Sequence, residues 1–145
     1  TFGSSFNVMD RTKALKEVYR ILKRKCWFAA LWNHRDLENP IQMEIEKIIK
    51  SNIPNYDYGS RREDQTKIIE SSNLYTDIRF FEDKIYHSQE VKSVISAWKS
   101  HATLHRQAGS KFKKIISEIT FFLNSMKVKK ITIPYYTRLW MAQKK

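Results

Sequence analysis

The run Cys26-Trp27-Phe28-Ala29-Ala30-Leu31-Trp32 is apolar throughout and is followed by the polar stretch Asn33-His34-Arg35-Asp36. A half-buried strand alternates in polarity. A run apolar on both faces reads instead as a central strand buried on both sides, most often parallel to its neighbour. Just before it, Asp10 is a good N-cap, and Ala14, Leu15, Val18, Tyr19 and Leu22 recur on one helical stripe that ends near Lys23. A helix followed by a buried strand is half of a βαβ unit, so the sequence predicts an α/β layer architecture. No other segment offers that strand an obvious parallel partner.

Downstream, Asn39-Pro40 opens a second helix whose inner face is Ile41, Ile45, Ile48 and Ile49, and Ile53-Pro54 ends it. Residues 55–59 form a turn-rich loop. Ser60 with Glu63 is a capping-box pair, which predicts a short helix over 61–71. Residues 76–86 read as a strand in which Ile78 and Phe80 alternate before Phe81 and Ile85 slip phase, as at a bulge. Ser88 is then expected to cap a longer helix burying Val91, Val94, Ile95, Trp98 and Ala102. Gly109-Ser110 breaks it, and a last helix buries Ile115, Ile116, Ile119 and Leu123. A final strand over 131–142 carries Pro134 near its start, which favours an outer position in the sheet.

The formal net charge is +12, yet the cations are scattered, mostly where helices end and loops begin. With no recognisable nucleic-acid-binding motif, this reads as a solvated basic surface, and a nucleic-acid-associated domain is the alternative. No apolar run approaches the roughly 20 residues of a membrane span. Thr1-Phe2-Gly3-Ser4-Ser5 has no signal-peptide character, and the single cysteine, Cys26, cannot form an internal disulfide. A cytoplasmic location is the expectation, with Cys26 structural.

Ser5-Phe6-Asn7-Val8-Met9-Asp10, then Ala14-Leu15-Lys16-Glu17-Val18-Tyr19-Arg20-Ile21-Leu22-Lys23, then Trp27 to Asn33, resembles the region after the fourth strand of class I S-adenosylmethionine-dependent methyltransferases of the type 11-like kind. Arg61-Arg62-Glu63-Asp64-Gln65-Thr66 and Ala97-Trp98-Lys99-Ser100-His101-Ala102-Thr103-Leu104 are similar to one subfamily, and Pro134-Tyr135-Tyr136-Thr137-Arg138-Leu139-Trp140 to the family's last strand. The resemblance implies the C-terminal half of a Rossmann-like sheet: a buried parallel strand plus an antiparallel hairpin at one edge, flanked by helices. It implies one partial domain over 1–145, with 1–36 ending the cofactor-binding core. Segments 37–75 and 88–126 are then helical and face substrate, and 76–87 and 131–142 are the terminal strands. The implied cofactor is S-adenosylmethionine and the implied substrate a small-molecule methyl acceptor.

Two departures stand out. The only glycines are Gly3, Gly59 and Gly109, so the glycine-rich cofactor loop has no counterpart, nor does the acidic residue that would hold the ribose. The family's proline-glycine-glycine turn reads Arg24-Lys25-Cys26, which either asks side-chain-bearing residues to take positive φ or changes the turn. The isolated chain is therefore expected to be inactive and to have negligible cofactor affinity. Self-association through the bare edge of its buried strand is expected too, and a non-catalytic remnant that dimerises through that edge is a further alternative.

The resemblance puts Phe6, Asn7, Val8, Met9 and Asp10 at the adenine or methionine end of the cofactor. Position at the carboxyl end of a strand singles out His34, Arg35 and Asp36 as the catalytic rim. There His34 would serve as general base or substrate orienter; the alternative is a polar loop capping the next helix. Arg61, Arg62, Glu63 and Asp64 could close over a substrate, the arginine forks suiting a carboxylate or phosphate; the alternative is a solvated helix start with local ion pairs. Trp98 and His101, three apart on one helix, and Tyr135, Tyr136 and Arg138 on the last strand are further substrate-side candidates, with ordinary packing as the alternative. No carboxylate joins the histidines in a metal-ligand pattern.

Overall fold

Asn33, His34 and Arg35 continue the first strand rather than leaving it. In the computed structural model, which describes residues Thr1–Lys145, β1 spans Trp27–Arg35. Phe28, Ala30, Trp32 and His34 are buried, whereas Leu31 is 46% exposed and Asn33 lies on the same open side. The expectation of a strand buried on both faces is thus corrected. An apolar run does not tell two covered faces from one whose opposite side lacks a covering layer, and Ala29, Leu31 and Leu139 line an open recess here.

The chain is mixed α/β with a three-stranded sheet in the order β1-β3-β2, where β2 is Tyr75–Glu90 and β3 is Lys130–Lys144. Pairing is antiparallel throughout. Against β1, Lys144 N donates to Cys26 O (2.9 Å) and Asp36 N to Pro134 O (3.0 Å). Against β2, Lys145 N donates to Leu74 O (3.4 Å) and Val91 N to Lys129 O (3.0 Å). The last strand is therefore central, which corrects the outer position inferred from Pro134. That proline is tolerated because it lies opposite Asp36, one residue past the end of β1, where a missing N–H costs no ladder bond. β2 and β3 are neighbours without being a tight hairpin, since three helices connect them.

The parallel neighbour expected for β1 is reduced to one residue. Phe2 bridges Ala30 in parallel, its N–H donating to Ala29 O (2.8 Å) and its carbonyl accepting from Leu31 N (2.9 Å). The phase slip in β2 is present, and earlier than expected. From Leu74 to Val91 the chain advances one residue more than from Lys129 to Lys145. Asp77, at φ 47°, is the left-handed residue within that strand, as at a bulge.

Two compact units divide the chain. The first comprises Thr1–His34, Gly59–Lys84 and Tyr136–Lys145. Its core joins Phe6, Leu15, Phe28, Trp32, Ile69, Tyr75 and Trp140. Helix α1 (Arg11–Ile21) starts where expected, with the Asp10 side chain accepting from Lys13 N (3.0 Å), and Tyr75 OH donates to Leu15 O (2.7 Å). The helix expected over 61–71 is instead a 3-10 turn, Gly59–Arg62, followed by α3, Thr66–Ser71. The capping box fails because the Ser60 hydroxyl donates to Asn7 O (3.0 Å). Meanwhile the buried Gln65 amide donates to Ser60 O (3.2 Å) and Glu63 O (2.7 Å), holding a bend there.

The second unit comprises Arg35–Tyr58 and Ile85–Tyr135 and is mostly helical: α2 (Pro40–Asn52), α4 (Val91–Lys99), α5 (Ala102–Ala108) and α6 (Phe112–Ser125). Ile45, Ile49, Trp98, Ile115, Ile119 and Leu123 form its core. Asn39 caps α2 as the sequence indicates. Ser88 does not cap α4, since it lies within β2. The long helix expected after it is interrupted: His101 Nδ1 accepts from Leu104 N (3.2 Å), so the imidazole starts a new helix, which Gly109 ends at φ 51°. No helix is long and apolar enough to cross a membrane.

Lys25 sits at φ 61°, the left-handed conformation its turn demands of a residue with a Cβ. Lys25→Gly should raise stability by up to about 1 kcal/mol, and Lys25→Val should lower it by at least that much, read from urea-unfolding midpoints. Equal stability of the two variants would contradict the strain argument.

Candidate functional site

Residues two apart on a strand share a face, so β1 presents Trp32 and His34 together on its buried side. The Trp32 indole N–H is shared between two acceptors, His34 Nε2 (2.7 Å) and the Arg61 carbonyl (3.2 Å). Trp32 stacks on Trp140 of β3 (centroids 5.0 Å apart, planes at 28°), and Phe80 of β2 leans on the other indole (4.9 Å). Trp140 in turn donates to Asp64 Oδ1 (3.0 Å). On β3, the Arg138 guanidinium is paired with Glu82 across the β2 ladder and reaches the Arg62 carbonyl (3.4 Å).

These contacts converge on the Gly59–Arg62 turn. It is held by Ser60 on Asn7, by Trp32 on the Arg61 carbonyl, by Arg138 on the Arg62 carbonyl and by Gln65 on Ser60. None of these contacts uses the Arg61 guanidinium, so the anchored turn presents that side chain at low entropic cost.

His34 is 4% exposed. Burial first, then the cations Arg62, Arg138 and Arg61, bring its pKa down to about 4. Because Nε2 accepts from an indole, the neutral ring carries its proton on Nδ1. That arrangement does not suit a general base near neutral pH: the lone pair is occupied and the charged form is disfavoured. It does suit a fixed hydrogen-bond donor. An unfolded histidine takes a proton near 6.5, whereas the folded one resists to about 4. His34 therefore contributes stability that is complete above about pH 7 and is lost as the pH falls from 6.5 towards 4. Lowering the pH from about 7.5 to about 5 should cost about 2 kcal/mol through this residue. In His34→Gln that part of the pH slope should vanish, as urea titrations at the two pH values would reveal; an unchanged slope would refute it.

The other rim residues belong to the second unit. The Arg35 guanidinium lies over the Trp98 ring (4.4 Å). Asp36 is buried, with Oδ1 accepting from Glu38 N (3.0 Å) and its carbonyl from Asn39 N (3.3 Å), the geometry of a turn leading into α2. Trp98 and His101 do not share one continuous helix face; their rings stack across the break (4.9 Å, 28°). Tyr135 receives a hydrogen bond from Gln89 (3.4 Å) in this unit. Tyr136, in the first unit, lies under Lys84 (5.1 Å). No cluster of three His, Cys, Asp or Glu side chains is placed to hold a metal ion, and Cys26 is exposed.

The segment that the family resemblance assigns to S-adenosylmethionine is mostly committed elsewhere. Phe6 is fully buried against Phe2 and Phe28 (5.5 and 5.6 Å), and Asp10 caps α1, its carboxyl held below the usual range chiefly by the Lys13 backbone N–H. Val8 and Met9 are exposed. Only the Asn7 carboxamide, buried with neither its nitrogen nor its oxygen hydrogen-bonded, keeps unspent capacity. These residues do not by themselves form a pocket for that cofactor.

Trp32, Trp140, Glu82 and Gln65 were not among the sequence-derived candidates. The detectable signal was the Trp32–His34 spacing, which places an indole donor beside an imidazole once the strand is extended to Arg35.

No protein-family model matches the chain, and no curated protein matches it. Among solved structures, it is similar to a putative type II methyltransferase from Anaeromyxobacter dehalogenans, with a TM-score of 0.52 and 9% identity over 97% of this chain. The chain spans 62% of that structure's length. At this identity the likeness establishes a shared mixed α/β fold.

Proposed function

We propose that this chain is the C-terminal, substrate-side part of a class I S-adenosylmethionine-dependent methyltransferase domain that acts on a small molecule. One observation carries the reading. Phe2 runs parallel to β1, the 3-10 turn Ser4–Val8 and α1 follow, and the chain returns as β1 beside Phe2. That is the closing part of a βαβ crossover of which the first strand contributes a single residue. The shared fold over nearly the whole chain, and over only part of the neighbour, supports it.

In this reading the cofactor, when bound, supplies an activated methyl group. The residues of this chain act on the acceptor. His34 offers Nδ1–H from a rigid strand, Arg61 and Arg62 offer charge from an anchored turn, and the Trp32–Trp140 stack keeps water from that side of the imidazole. His34 thus serves as a positioning donor, and the rim role first assigned to Arg35 and Asp36 becomes support for Trp98 and the start of α2.

Calorimetric titration of S-adenosylmethionine into this chain should give no micromolar binding, because the glycine-rich loop and a ribose-binding carboxylate are lacking. The natural gene product, read upstream of Thr1, should transfer radiolabelled methyl from S-adenosylmethionine to small molecules of a cell extract. Micromolar binding by this chain, or a cofactor-binding gene product that labels nothing, would overturn the proposal. Phe2 covers only Ala29 and Leu31 of the outer edge of β1. The isolated chain should therefore self-associate in light scattering, and a concentration-independent monomer would count against an open edge.

A further inference from the structure

We propose that the Gly59–Arg62 turn and His34 form an oxyanion site that recognises a carboxylate or phosphate group on the acceptor. That the anion belongs to a methyl acceptor rests on the function proposed above; anion binding by itself does not.

Charge is the first argument. Arg61, Arg62 and Arg138 all lie close enough to His34 to oppose its protonation. The nearby carboxylates are already engaged: Glu82 with Arg138, Glu63 with Arg11, and Asp64 with Thr66 N and Trp140. Arg61 makes no side-chain ion pair or hydrogen bond, and its main chain alone is tied down, through Trp32. An uncommitted guanidinium near a neutral, buried imidazole leaves net positive potential there. A cationic ligand would be repelled there.

Geometry is the second. The neutral ring of His34 holds an N–H donor at Nδ1, opposite the nitrogen taken by Trp32. The Asn7 carboxamide, buried and without a hydrogen bond, belongs to the residue whose carbonyl receives Ser60 of the same turn. Buried amides of this kind are normally partnered, so an unpartnered one beside a cationic turn points to a ligand. Arginine forks match the two oxygens of a carboxylate or phosphate in a bidentate way. Four fastenings on the turn, all through backbone carbonyls or Ser60, mean that anion binding need not first order the loop.

The Trp32 indole N–H sits between His34 and Arg61 and so reports on the site. In nitrogen-15 NMR at constant ionic strength, inorganic phosphate and acetate are titrated separately into the chain. At least one should shift the Trp32 indole resonance saturably, and the tighter of the two assigns a phosphate-bearing or a carboxylate-bearing acceptor. Arg61→Gln should weaken binding about tenfold or more, the loss of one charge-assisted pair. Arg24→Gln, which removes an exposed cation elsewhere, should leave it unchanged. Because the Arg61 carbonyl rather than its side chain holds the turn, the Trp32 resonance of the anion-free variant should match that of the parent. The proposal is overturned if neither anion gives a saturable shift, or if Arg61→Gln titrates like the parent. A chain that binds the anion while its gene product transfers no methyl group would keep this site and remove the methyltransferase reading.

Discussion

One indole N–H organises the first unit. Shared between His34 Nε2 and the Arg61 carbonyl, it sets the tautomer of a buried imidazole and pins a turn remote in sequence. Remove it, and His34 loses the partner that makes its burial tolerable, while the arginine turn loses its central fastening. The stack on Trp140 keeps that indole in place, and Trp140 is itself oriented by Asp64, so two strands and a loop are joined through a pair of rings. The chemistry open to His34 follows from this restraint: it is a donor because a neighbour has already used its acceptor.

Much of the architecture was legible in the sequence because local signals and packing agreed. Asp10 and Asn39 cap the helices they should, Gly109 breaks where it should, and Lys25 takes the positive φ implied by a turn without glycine. The failures share a cause, a side chain with two possible partners. Ser60 has the spacing of a helix cap and is used on Asn7; His101 has the spacing of a helix-face residue and is itself a cap. Short polar side chains compete for backbone groups, and only the tertiary fold decides which they meet.

The candidate site was legible in part. The polar end of the apolar run directed attention to His34, and Arg61, Arg62 and Arg138 do gather around it. Arg35 and Asp36 follow it in the chain, yet strand alternation and the turn after β1 send them to other tasks. Trp32 and Trp140 passed as generic core because hydrophobicity alone hides an indole's donor. Sequence reading registers burial well, but the direction of one N–H depends on partners many residues away.

Pro134 has a further consequence for the sheet. A slip of β1 by one residue would turn its buried face outward, which the apolar side chains oppose. A slip by two would preserve the faces, so burial offers no defence against it. In the direction that sets Pro134 against His34, however, it would bring a β1 carbonyl opposite the one residue of β3 that has no N–H to give. The proline therefore locks the register against that one direction of slip, since in the observed alignment it lies just beyond the end of β1. That slip would also set Trp32 against Tyr136 and draw it away from Trp140.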